Sequence, residues 1–241
     1  IDILGNNVGA SNTGVNLPNR VHGNRVAYTT ARAAATGSGN DEAGCIYARY
    51  SDVDVQYNRL DFTNLSLVSN TFAGITIRHG YRNASAENNT VINAPAEALR
   101  FDISSSIDTG SCMAVARGNR LTSKNGGRAT LRFSNGSVQA SGSKVFTHVV
   151  VDGNTVQNTN TASNSIELEV TDSARTSSFG FDAVTLRDNW CPGSNAYDVI
   201  SVKGYPQYLD APNAELTITV NPAGTNNYGI MTSLSDALLC M

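Results

Sequence analysis

The sequence predicts an all-β chain wound as a right-handed parallel β-helix, a solenoid of about eight coils with an asparagine ladder. Two recurring patterns and one absence predict it. A pair of apolar residues two apart is followed by Asn and then by another apolar residue. A four-residue alternation of apolar and polar residues falls between the copies of that first pattern. No amphipathic helix of about 10–12 residues separates the copies, which argues against alternating strands and helices.

The first pattern begins with Ile1, Ile3, Asn6, Val8 and returns weakly as Val21, Asn24, Val26. It continues with Val53, Val55, Asn58, Leu60 and with Leu65, Leu67, Asn70, Phe72. Ala84, Ala86, Asn89, Val91 and Ala114, Ala116, Asn119, Leu121 follow. Val149, Val151, Asn154, Val156, then Val184, Leu186, Asn189, Cys191, and finally Leu216, Ile218, Asn221, Ala223 close the series. A spacing of two places those apolar side chains on one face of a strand. Asn tolerates a left-handed turn, and its amide can bond the Asn of the next coil. Asn58 and Asn70 are only 12 residues apart, so one of them is the ladder residue and the choice stays open.

The second pattern reads Ile46-Tyr47-Ala48-Arg49, Ile75-Thr76-Ile77-Arg78 and Leu99-Arg100-Phe101-Asp102. It continues as Leu131-Arg132-Phe133-Ser134, Ile166-Glu167-Leu168-Glu169 and Ile200-Ser201-Val202-Lys203. Val15-Asn16-Leu17 and Ile230-Met231-Thr232 serve as end copies. Two different strands per period, always in the same order, require parallel stacking of successive coils. The hairpin dipeptides Asn125-Gly126, Asn135-Gly136 and Asp152-Gly153 are not placed to join both strands in every repeat, as a sandwich would need. Residues 1–232 are expected to form the β-helix, and 233–241 a terminal cap or the start of a further segment.

Composition narrows the function. Charged residues make up 15% and hydrophobic ones 40% of the 241 residues, which fits a folded chain. No apolar run reaches the roughly 18 residues of a spanning helix, so no membrane insertion is expected. The net charge of −3 argues against a nucleic-acid partner. Lys occurs only at Lys124, Lys144 and Lys203, and Arg supplies the other cations. Arginine's planar fork suits carboxylates and sugar acids. Cys45, Cys112, Cys191 and Cys240 form no CxxC pair, and His22, His79 and His148 have no ligand spacing. Reduced, packed thiols and no metal or other cofactor are therefore expected.

The two patterns together resemble the pectate-lyase-like superfamily of right-handed β-helices over nearly the whole chain. That superfamily includes pectin-degrading lyases and hydrolases, alginate epimerases, and phage tailspikes that bind or cut bacterial surface glycans. The Asn-Thr-Asp, Asp-Asp, Gly-His-Gly and Arg-Ile-Lys motifs of its polygalacturonase-like hydrolases are missing here. A calcium-binding aspartate cluster with an arginine base, as in its pectate lyases, is missing too.

The remaining candidate is the outward face of the second strand series. In register, it forms one column of Tyr47, Thr76, Arg100, Arg132, Glu167 and Ser201. A second column holds Arg49, Arg78, Asp102, Ser134, Glu169 and Lys203. Glycoside hydrolysis needs two carboxyl groups flanking a sugar. Asp102 and Glu169, two coils apart, would lie about 9–10 Å from one another, near the upper end of the separation in inverting enzymes. Glu167 and Glu169 would be about 6.5–7 Å apart. Asp102, Glu167 and Glu169 are the candidate catalytic residues. Arg78, Arg100, Arg132 and Lys203 are candidate substrate contacts, with Tyr205 and Tyr208 in the loop beyond.

The resemblance implies a phage tailspike or fibre protein that recognises a bacterial surface polysaccharide, with or without hydrolysing it. Such proteins are virion-tail or extracellular homotrimers. A secreted polysaccharide lyase or hydrolase acting as a monomer is the second expectation, and a purely structural solenoid the third.

Overall fold

In the computed structural model the described residues are 1–4, 19–27, 43–49, 52–65, 72–78, 83–103, 110–124, 127–135, 145–160, 163–170, 179–192, 200–203 and 215–218. Among them there is no helix, and so none long and apolar enough to cross a membrane. The strands, numbered β1 to β19 in chain order, form three sheets. The first sheet runs β1 (Asp2–Leu4), β4 (Ala43–Arg49), β7 (Phe72–Arg78), β10 (Leu99–Ile103), β13 (Leu131–Asn135), β16 (Ile166–Val170), β18 (Ile200–Lys203). The second runs β2 (Asn19–His22), β5 (Val53–Gln56), β8 (Asn83–Glu87), β11 (Gly110–Arg117), β14 (Val145–Asp152), β17 (Phe179–Arg187), β19 (Glu215–Ile218). The third runs β3 (Arg25–Ala27), β6 (Arg59–Asp61), β9 (Thr90–Ala94), β12 (Arg120–Ser123), β15 (Thr155–Asn158).

Neighbouring strands in every sheet are parallel, and each comes from a successive turn of the chain. This is a parallel β-solenoid. It departs from expectation in three respects. The long sheets hold seven strands each among the described residues, not eight. Five of the turns have three strands rather than two, because the segment after the Asn, which carries the next apolar residue, is a strand of the third sheet. The opening residues also change place: β1 pairs with Tyr47–Arg49, so Ile1 and Ile3 belong with the second pattern. The end copies at Val15 and Ile230, and the segment from Ser233 onward, lie outside the described residues.

The pairing registers turn sequence alternation into columns. In the first sheet Ile46, Ile75, Leu99, Leu131 and Ile166 align and are fully buried. Ala48, Ile77, Phe101, Phe133 and Leu168 align beside them. The rings of Phe101 and Phe133 stack at 4.7 Å with an interplanar angle of 2°, within the favourable range for offset aromatics. Ala114 and Ala116 of the second sheet are buried in the same core as Phe101. Leu60, Val91, Leu121 and Val156 form the third wall. Each of these larger aliphatic side chains contributes about 1.5–3 kcal/mol by leaving water. Gly74 in β7 marks a tight approach: a Cβ there would lie 2.6 Å from the Ala98 carbonyl oxygen and 2.7 Å from Val91.

The corner between the second and third sheets is built from Asn24, Asn58, Asn89, Asn119, Asn154 and Asn189. Each Oδ1 from Asn58 onward accepts from both the backbone N–H and the side-chain amide of the Asn one turn earlier, at 2.9–3.0 Å. Each Nδ2 from Asn58 onward also donates to a carbonyl of the preceding turn, as Asn119 does to Ala86 at 2.8 Å. Asn58 is therefore the ladder residue, and Asn70 lies outside the described residues. The left-handed backbone belongs not to these asparagines but to the residue before each: Gly23 (φ 70°), Tyr57 (56°), Asn88 (55°), Gly118 (61°), Gly153 (63°) and Asp188 (53°). The expectation that left-handed tolerance selects the column is corrected accordingly. Ladder positions need an amide that donates and accepts at once; the preceding position needs tolerance of positive φ.

Replacing Asn119 by Ala leaves the Asn89 N–H and amide, the Ala86 carbonyl and the Asn154 Oδ1 short of partners. Urea unfolding is expected to show a loss of about 2–4 kcal/mol. Asn24→Ala, at the end of the row among the described residues, is expected to cost much less. Equal losses at the two positions would show that the row is not cooperative.

Candidate functional site

The outer face of the first sheet carries the two polar columns expected from sequence, in the expected register. Tyr47, Thr76, Arg100, Arg132, Glu167 and Ser201 align. So do Arg49, Arg78, Asp102, Ser134, Glu169 and Lys203. Asp102 and Glu169 are thus two strands apart, with Ser134 between them. The side chains of Glu169 and Lys203, and all of Tyr205 and Tyr208, fall outside the described residues. His79 does too.

The environment differs from the solvated groove that an outward column suggests. Tyr47, Thr76, Arg100, Asp102, Arg132, Ser134 and Glu167 are all buried, with Asp102 only 4% exposed. The charges are matched inside that layer. Asp102 Oδ2 faces Arg100 Nη2 at 2.7 Å and Arg78 Nε at 3.0 Å. Glu167 Oε1 accepts from Arg132 Nε at 3.0 Å, and its Oε2 accepts from Asn164 at 3.4 Å.

Glu97 completes the group and was not among the sequence candidates. It is 1% exposed, and its Oε1 lies 3.5 Å from Arg132 Nη1. It precedes β10, outside the four-residue alternation that located the others. The available signal was a lone carboxylate inside the apolar run Ala94-Pro95-Ala96-Glu97-Ala98-Leu99. Arg78, Arg100 and Arg132 thus face Asp102, Glu97 and Glu167, a cluster balanced in charge. Such a cluster can position a bound acid or sugar by exchanging partners. It equally holds the first sheet's outer layer in one arrangement.

The second sheet carries a more exposed charge column, Gln56, Glu87, Arg117, Asp152, Arg187. Asp152 Oδ2 lies 2.7 Å from Arg187 Nη2 and 3.3 Å from Arg117 Nε. The hydrogen bond from Arg187 is the main reason the Asp152 carboxyl is held below its usual range; burial opposes it. Cys45 and Cys191 are buried, and desolvation pushes the Cys191 thiol up to about 12. No metal-holding group of His, Cys, Asp and Glu occurs among the described residues.

Two outcomes follow. Asp102→Asn removes the negative partner of two buried guanidiniums, so the chain is expected to lose about 3–5 kcal/mol of stability in urea unfolding. An unchanged midpoint would argue that the cluster is not structural. For Asp152 the folded carboxyl lies below its unfolded value of about 3.9, so its contribution is present above that pH and fades as pH falls through the folded value. Asp152→Asn should therefore lower the melting temperature at neutral pH, and the gap from the parent should close in acid. A constant gap would remove Asp152 from the acid limb.

No family model matches the chain, and no curated protein or solved structure matches it either.

Proposed function

We propose that the solenoid is a right-handed β-helix of the pectate-lyase-like kind, serving as a phage tailspike or fibre domain that binds a bacterial surface polysaccharide. Right-handed crossovers are what parallel strand connections favour. One observation carries the reading. Outward side chains of the second and third sheets, several of them exposed, recur turn after turn at the strand spacing of about 4.8 Å, in columns whose register holds through successive pairings. A one-dimensional lattice of polar groups is complementary to a linear polymer of repeating sugars. Recognition is favoured over hydrolysis by the engagement of Asp102 and Glu167. A general acid and a base must each keep an oxygen for the substrate, whereas these carboxylates already face three guanidiniums.

On this reading the chain acts outside the cell, in a virion tail, as a homotrimer. Light scattering on the purified chain is expected to give three times the chain mass. Surface polysaccharides from a bacterial panel are expected to bind without being shortened. A monomer that shortens one of them would replace this reading with a secreted hydrolase or lyase, with Asp102, Glu167 and Glu169 as its first candidates. A chain that binds none of the panel would be left as a structural solenoid.

A further inference from the structure

The outer side of the third sheet carries another column: the residue that directly follows each ladder asparagine. Arg25, Arg59, Thr90, Arg120, Thr155 and Trp190 align strand to strand. The register shift in this sheet comes later, between Leu121 and Ser123, and leaves the column straight. Arg25, Arg59, Arg120 and Trp190 are exposed, and the two threonines are half-buried. From Arg25 to Trp190 the column spans five strand spacings, about 24 Å.

Its charges are treated differently from those elsewhere on the molecule. Arg78, Arg100, Arg117, Arg132 and Arg187 each lie against a carboxylate. Here Arg25 and Arg120 have no acidic partner among the described residues. Arg59 has only Asp61, at 3.6 Å with its own side chain 53% exposed. Arg25 and Arg59 also sit directly opposite one another on neighbouring strands, an arrangement of like charges that destabilises a sheet. Trp190, the only tryptophan in the sequence, is 52% exposed at the far end.

We propose that this column is a docking stripe for an acidic polysaccharide laid parallel to the solenoid axis. The inference rests on the polysaccharide reading above and assigns it a place. Guanidinium forks pair bidentately with sugar carboxylates, which relieves the Arg25–Arg59 repulsion. The threonine hydroxyls bond to ring hydroxyls between the charged contacts. The Trp190 indole offers an apolar face for a sugar ring. Three cations with an acid at Asp61 are too few for the phosphate contacts that hold a nucleic acid, whereas a sugar acid carries its charges further apart.

Trp190 makes the test direct. Polygalacturonate titrated into the full chain should shift the tryptophan emission to the blue and shield it from acrylamide quenching; neutral dextran should do neither. Replacing both Arg25 and Arg120 by Ala should weaken polygalacturonate binding about a hundredfold, one charge-assisted contact being worth about tenfold. Arg20→Ala, on the second sheet, should leave it unchanged. All three substitutions are at exposed positions, so the melting temperature serves as a folding control. Binding with Trp190 unshielded and the double variant unaffected would overturn the stripe and leave the polysaccharide reading intact. Binding only to neutral polysaccharides would overturn the acidic ligand alone. Equal binding of a single-stranded oligonucleotide through the same arginines would overturn the assignment to sugar. Failure of every polysaccharide would overturn both.

Discussion

The structure depends on the asparagine row at the corner between the second and third sheets. A solenoid turn must change direction sharply while leaving no buried backbone group unpaired. The amide of each ladder asparagine meets both demands. Its oxygen takes the N–H that the corner would otherwise orphan, and its nitrogen reaches a carbonyl of the turn before, as from Asn89 to Val55. Because Asn58, Asn89, Asn119 and Asn154 are each bonded to the asparagines of the turns before and after, the corners of successive turns are held in line. The left-handed residue beside it, such as Gly118 or Gly153, completes the bend. At Gly118 a Cβ would meet Oδ1 of Asn88, the left-handed residue of the turn before, at 2.6 Å. Tyr57 accepts the strained backbone without glycine, its ring edge-on to His22.

Once the corner is aligned, the rest of the register follows, and with it the placement of every charge. A residue on one turn faces the equivalent residues of the adjacent turns at strand spacing. Opposite charges on successive turns therefore attract, and like charges repel. The second sheet shows the favourable case, with Asp152 between Arg117 and Arg187. The first sheet shows it under burial, where isolated charges would be costly and Arg78, Arg100 and Arg132 face Asp102, Glu97 and Glu167. Like charges also meet, Arg100 opposite Arg132 in the first sheet and Arg25 opposite Arg59 in the third, but Arg100 and Arg132 each lie against a carboxylate and Arg25 has none among the described residues.

Much of this was legible in the sequence because a parallel solenoid repeats its environment at every turn. Six copies of a four-residue alternation were enough to place Arg100 beside Arg132 and Asp102 beside Ser134 before any coordinates. The missed features are those without a period. Glu97 lies before its strand, in a run of alanines, so no column announced it. The third sheet was hidden because its strands are short and contribute one regular inward residue, such as Leu60 or Leu121. Its outer column was nonetheless spelled out by the residue after each asparagine. Burial of the first sheet's outer face was not legible at all. Alternation tells which side of a strand a residue faces, not whether something lies over that side.

That last distinction bears on function. Arginine and carboxylate side chains facing outward resemble a catalytic groove when only their pattern is known. Their pairing distances give a different account, because a carboxylate engaged by two guanidiniums within about 3 Å must part from them before it can serve a substrate. The exposed column on the third sheet has one such contact among the described residues, between Arg59 and Asp61 at 3.6 Å. Its guanidiniums at Arg25 and Arg120 reach an incoming acid without first leaving another. On the proposed reading, the column with the fewest acidic neighbours is where a ligand acid would bind, and the regular turn would set the spacing at which a repeating polymer is met.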